Sequence, residues 1–344
     1  MRESLGRWLA LDGLRGVAVL MVVADHAGLP GGRLSGPVGV TIFFVLSGFL
    51  ITRVILRDRE AGTWSLRQFF GNRAVRLLPA LLALQVVVAA WWVLAGRSVR
   101  TILLDDLAAT TYVTNIFYPW LTESVLGHTW SLATEEQFYL LWPLLLPLVM
   151  RSRRPLTWLT VAVATSLALR LGLGFAGHDK LAYASLPTNA YALLLGCLIA
   201  IAPQRVRPGA LQRAVPVLAL LAITFLVRAP LGLPQIYVVL PVVTVGFAAL
   251  AVAYALPGSP LLELAPLRFV GRISYAWYLW HVPLLVLTGQ TGGGLRALPV
   301  VALSLAMATA STFWLEEPLR RRWAARTSRA RAPVPARAVV EQEP

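Results

Sequence analysis

Charge is what this sequence has least of. Only 14% of its 344 residues are Asp, Glu, Lys or Arg, against roughly 25% in soluble globular proteins, and 57% are hydrophobic with a mean hydropathy of +0.68. That balance excludes an ordinary water-soluble globule. Lysine is almost missing: Lys180 stands alone, so the net charge of +15 is carried by arginine. These arginines lie between apolar runs, as topology signals do, which argues against a nucleic-acid partner. One cysteine, Cys197, excludes a disulfide framework, and its setting in ALLLGCLIAIA fits a packed core residue better than a nucleophile. There is no Gly-rich nucleotide loop, no CxxC pair, no internal repeat and no metal-ligand set. A cleavable secretory signal is also excluded as a reading, because Asp12 and Arg15 interrupt the first apolar stretch and no small-residue cleavage site follows.

What is present is a succession of apolar runs. Stretches of about 17 to 25 residues, long enough for a bilayer core, are expected at Trp8–Leu29, Gly36–Leu56, Leu77–Ala95, Ser131–Met150, Leu156–Phe175, Leu186–Ala202, Ala214–Val227, Leu233–Leu256, Phe269–Thr288 and Ala297–Leu315. Arginines follow the second, fourth, sixth and eighth spans and the last, whereas the loop after the third holds Asp105, Asp106 and Glu123. The positive-inside rule then places both termini in the cytoplasm. The fold class expected is all-α: a polytopic integral membrane domain over 1–319 with about ten transmembrane helices, and a basic, disordered cytoplasmic tail over 320–344 near anionic head groups.

Polar residues inside such spans are costly and mark pathways or reaction centres. In LDGLRGVAVLMVVADH, Arg15 and His26 stand eleven residues apart. Eleven helical steps of about 100° return to nearly the same face, about 16 Å higher. An ordinary role exists for each, Arg15 pairing with Asp12 and His26 marking the interface. The fourth span starts at HTWSLATEEQFYLLWP, which sets Glu135 and Glu136 at the expected level of His26, with Thr134 and Gln137 spaced like a capping box. The ninth, FVGRISYAWYLWHVPLL, puts Ser274, Tyr278 and His281 on one stripe; packing among aromatics is sufficient reason for His281, which is assigned with Tyr278 to substrate contact rather than catalysis. Arg73 and Arg76 present two forks at the cytoplasmic mouth, a spacing suited to a polyphosphate. A histidine beside a carboxylate can serve as general base for a hydroxyl, so an activated donor loaded from inside and presented high in the membrane fits the pattern.

DGLRGVAVLMVVADH, GVTIFFVLSGFLIT, RAVR, HTWSLATEEQFYLLWP, ISYAWYLWHVPLL and FWLEEPLRR, in that order, resemble membrane-bound acyltransferase family 3, bacterial proteins that O-acylate surface polysaccharides, lipopolysaccharide, peptidoglycan and some macrolides. The resemblance implies a multi-pass protein of the bacterial cytoplasmic membrane that takes an acyl group, acetyl above all, from acyl-CoA as co-substrate, with no bound cofactor, to a sugar hydroxyl of a glycan or glycosylated small molecule. It also implies a CoA-phosphate site at Arg73 and Arg76 and a catalytic His26. On this reading Arg15 holds the donor arm or its pyrophosphate, and Glu136, or Glu135, orients the imidazole; an acyl-histidine route stays open. Some members carry a fused esterase-like domain; with only a basic tail here, any second transfer step is expected to need another protein. A transporter or flippase of an envelope precursor is the alternative, although no pair of broken helices marks corresponding halves.

Overall fold

A computed structural model describes residues 8–96, 98–118, 124–202, 210–226, 239–256 and 258–329. Among them the regular structure is helical: α1 (Leu9–Ala27), α2 (Ser35–Glu60), α3 (Leu66–Leu94), α4 (Val99–Thr110), α5 (Thr114–Phe117), α6 (Trp130–Arg151), α7 (Pro155–Phe175), α8 (Asp179–Ala184), α9 (Leu186–Ile201), α10 (Ala210–Leu226), α11 (Leu240–Ala255), α12 (Ala265–Leu287), α13 (Leu298–Ala310) and α14 (Glu317–Arg329). Within the described residues each expected span overlaps one of these helices, although α3 begins eleven residues before the expected Leu77 and the tenth span runs on from α13 through the π-helical turn Ser311–Glu316. Among the described residues five helical stretches are long and apolar enough by themselves to cross a membrane: Ser35–Glu60, Leu66–Leu94, Pro155–Phe175, Asp179–Ile201 and Gly294–Thr327. The chain is a polytopic all-α membrane protein. The expected start of the eighth span, Leu233, lies outside the described residues, as do 330–344 of the expected tail; the tail's first residues, through Arg329, are helix.

Lipid-facing leucines such as Leu144 and Leu148 stay exposed while polar side chains turn inward, because lipid offers a hydrocarbon surface nothing that burial would improve and a polar group nothing to bond. Helix association then depends on close packing and internal hydrogen bonds. Two helices that run in the same direction form the core of the arrangement. A Cβ at Gly271 on α12 would lie 1.7 Å from the Asp12 carbonyl oxygen of α1, and one at Gly16 would lie 2.3 Å from that of Leu267, so only glycine allows this backbone contact. The pair stays together to its far end, where Gly292 donates its N–H to the His26 carbonyl at 2.9 Å. α2 and α6 run the opposite way beside them, tied by Trp142 Nε1 donating to Thr52 Oγ1 at 2.8 Å. Cys197 is fully buried against the Gly48 carbonyl, as a core residue.

Candidate functional site

A cavity of 790 Å³ opens between α1, α2, α3, α6, α12 and α14, in the size range of ligand sites. Its lining includes seven arginines (Arg15, Arg57, Arg73, Arg76, Arg272, Arg320 and Arg321) and four acids (Asp58, Glu135, Glu136 and Glu317), a formal excess of three positive charges. Such a surplus in a low-dielectric wall selects for an anion.

Most of these arginines already have partners. Arg57 bonds Asp58 at 2.7 Å, and Arg15 pairs with Asp12 at 3.8 Å, the ordinary partner expected one turn back, while still lining the cavity. Arg272 bonds Glu317, which also meets Arg321 at 3.5 Å. Arg73 reaches Glu136 with Nη2 at 2.5 Å and Nε at 3.3 Å and lies 3.5 Å over the ring of Tyr139. Arg76 and Arg320 are the two lining arginines without an ion pair among the described residues. The two forks of RAVR therefore differ: Arg73 is bonded to a carboxylate, whereas Arg76 makes no ion pair among the described residues and feels Glu316 only at longer range.

This geometry corrects the placement of the two glutamates. Neither bonds His26. Glu136 belongs to Arg73, and Glu135 accepts from Ser47 Oγ at 3.0 Å. Helix rise explains the difference: Glu136 comes five residues after Ser131, about 7.5 Å further along α6, which carries it from the histidine level down to the arginines. The capping-box reading also fails. α6 begins at Trp130, so Thr134 and Gln137 sit inside the helix; Thr134 bonds the Trp130 and Ala184 carbonyls, and Gln137 clasps Asn115 and the Tyr112 carbonyl.

Beyond the glutamates the cavity reaches Ser131 and Tyr278. The Tyr278 hydroxyl donates to the His128 carbonyl at 2.6 Å, which leaves its oxygen to accept from Ser131 Oγ at 2.7 Å. The rings of His128 and His281 lie 5.4 and 5.7 Å from that of Tyr278, and His281 Nε2 lies 3.2 Å from His26 Nδ1. Three of the four histidines thus converge at one end of α1 and α12, whereas His178 is exposed on the surface. His281 sits among aromatics as expected and also reaches His26, and they are joined by His128, which stands three residues before Ser131 and carries no other signal in the sequence. Arg15 and His26 stand on one helix, and the cavity spans the distance from the arginine level to Tyr278.

At the arginine end, α14 covers the start of α3. Trp323 Nε1 donates to Asn72 Oδ1 at 2.8 Å, and a Cβ at Gly71 would lie 2.3 Å from Trp323 Cζ2. Gly71→Ala is expected to displace Trp323 and, with the loss of about 1 kcal/mol for one hydrogen bond, to speed amide exchange in α14 about fivefold. Exchange at the parental rate in hydrogen–deuterium mass spectrometry would show that Trp323 does not anchor this helix.

A polytopic helical membrane protein with a cationic internal cavity leading to a histidine cluster is the class that fold and site define. A family model described as an acyltransferase domain matches residues 8–317, and the chain belongs to that family, acyltransferase family 3. Peptidoglycan O-acetyltransferase OatA of Listeria monocytogenes is 30% identical to it over 352 residues, covering 91% of this chain and 56% of that protein. Putative peptidoglycan O-acetyltransferase YrhL of Bacillus subtilis is 31% identical, covering 81% of this chain and 48% of that protein. O-acetyltransferase OatA of Staphylococcus aureus is 30% identical, with 91% and 57% covered. The chain spans about half the length of these curated relatives. No solved structure matches it.

Proposed function

We propose that this chain is an O-acyltransferase of the bacterial cytoplasmic membrane that moves an acyl group, acetyl first, from acyl-CoA at its arginine-lined mouth to a hydroxyl of a sugar in a cell-envelope glycan, peptidoglycan first, or in a glycosylated metabolite. The observation that carries this reading is the continuity of one cavity from Arg76, Arg73 and Arg15 to Tyr278 and Ser131, where the ring of Tyr278 adjoins His281, which in turn meets His26. A phosphorylated donor matches the charge at one end, and a neutral imidazole suits a hydroxyl nucleophile at the other. With both termini cytoplasmic the arginine end faces the nucleotide pool, and the histidine end faces the envelope.

Within this scheme Arg76 and Arg320, the lining arginines without ion pairs among the described residues, take the donor's phosphates. Arg73 enters only by exchanging Glu136 for phosphate, and Arg15 lies along the donor arm. His26 removes the proton from the acceptor hydroxyl as its oxygen attacks the thioester carbonyl carbon; the carbon–sulfur bond breaks and the thiolate leaves. Tyr278 and Ser131 line the route to that point. The test is release of free thiol from acetyl-CoA by the chain in lipid nanodiscs. Release that rises when peptidoglycan fragments are added supports the reading, and fragment movement without thiol release would favour a transporter. Arg76→Ala is expected to raise the apparent KM for acetyl-CoA about 10- to 100-fold, since a hydrogen bond to a charged group is worth about 1.5–3 kcal/mol, with the acceptor KM unchanged. An unchanged donor KM would reduce Arg76 to a topology marker.

A further inference from the structure

We propose that His281 is the positioning residue of His26: it accepts the Nδ1 proton of His26 on its own Nε2 and so leaves the Nε2 lone pair of His26 as the one available base. This rests on the reading of His26 as the base of an acyl transfer.

The hydrogen bonds determine both tautomers. His281 Nδ1 lies 2.8 Å from the Tyr278 carbonyl oxygen and 3.0 Å from that of Trp277. Carbonyl oxygens only accept, so Nδ1 carries the proton, and in a neutral ring Nε2 then carries the lone pair. That Nε2 faces His26 Nδ1 at 3.2 Å, and the same His26 nitrogen faces the Val22 carbonyl oxygen at 3.0 Å. With two acceptors and no donor opposite it, His26 Nδ1 is protonated, and its only basic atom is Nε2. The two rings are unequal in exposure: His281 is fully buried, held by carbonyls of its own helix, whereas His26 is part-exposed. The fixed ring therefore orients the accessible one. Their separation is set by the backbone contact of α1 and α12 at Gly16 and Gly271.

The arrangement performs the task that a buried carboxylate performs in a serine-hydrolase triad, where the orienting group holds the imidazole in the productive tautomer. Here Glu135 and Glu136 are engaged with Ser47 and Arg73, the neighbouring carboxylate of Asp25 accepts from the Leu34 N–H at 2.7 Å, and a neutral imidazole takes the orienting role. In the step itself the acceptor's O–H bond breaks and its proton passes to His26 Nε2. The oxygen bonds the thioester carbonyl carbon, the carbon–sulfur pair leaves with the thiolate, and the thiolate recovers the proton from His26. Throughout, the Nδ1–H of His26 stays on His281 Nε2, so the imidazolium forms without turning.

Two isosteric amides separate this role from packing. His281→Gln places an acceptor oxygen near the position of Nε2; His281→Asn keeps a donor toward the Tyr278 carbonyl but ends short of His26. In membranes with matched protein levels, His281→Asn is expected to lower kcat about 10- to 100-fold, the range found when a ring-orienting partner is lost at histidine metal sites, with donor and acceptor KM within about twofold of parental. His281→Gln is expected to recover most of that loss. Equal impairment of the two amides, or a change in KM rather than kcat, would overturn the positioning role. His26→Ala is measured alongside: if it is inactive while His281→Asn keeps parental kcat, only the positioning role falls, and if His26→Ala is itself active, the reading of His26 as base falls first.

Discussion

His26→Ala is expected to insert and accumulate like the parent and to lose acyl transfer by about 10²- to 10⁴-fold, the usual cost of removing a general base. His26 is part-exposed near the last turn of α1, and among the described residues its side-chain hydrogen bonds go to Val22 and His281, so little of the packing depends on it. The chemistry depends on it entirely in this scheme, because among the described residues no other histidine at that level is exposed: His281 is fully buried and His128 nearly so. His26→Gln is expected to fail as well, since an amide can accept a hydrogen bond but cannot hold the proton. Acylated acceptor is to be measured by mass spectrometry against matched protein levels. Near-parental product in either variant would remove His26 from catalysis.

The largest expected effect on folding is at Gly271. Its Cβ would stand 1.7 Å from the Asp12 carbonyl oxygen, which is backbone and has nowhere to turn, so α1 and α12 have to separate. Overpacking by side chains alone costs about 1–3 kcal/mol, and a collision with a helix backbone exceeds that range. Gly271→Val is therefore expected to abolish the monodisperse folded species in detergent. Gly172→Ala on α7, with nothing within 4 Å of the added carbon, is expected to be neutral or slightly stabilising, as glycine in a helix interior costs about 0.5–1 kcal/mol relative to alanine. Folded Gly271→Val protein of parental thermal stability would refute the backbone contact that brings the two histidines together.

Hydropathy reports position along a helix axis, and that part of the architecture was legible. Within the described residues each expected span overlaps a helix, and the eleven-residue interval between Arg15 and His26 places one at the cavity and the other near the far end of the same helix. Lateral neighbours were not legible. Arg73 and Glu136 are 63 residues apart, and His26 and His281 are 255 apart; no periodicity within one span states which face meets which. Charge alone suggested carboxylates beside His26, and the cavity that α3 and α6 both line brought Glu136 to Arg73 instead. The aromatic setting of His281 suggested packing, whereas its Nε2 points to His26. Composition likewise suggested disorder after residue 320, but α14 finds bonds for Trp323 and Glu317 on α3 and α12, and those contacts depend on partners far away in the chain.

The central claim is transfer between two ends of one internal path, and sidedness tests it most directly. In inverted membrane vesicles holding peptidoglycan fragments, acetyl-CoA labelled in its acetyl group is supplied only outside, at the arginine end. Label is predicted to appear in the enclosed fragments with the parent chain and to be absent with His26→Ala. Label found only on fragments added to the same side as the donor would contradict the account.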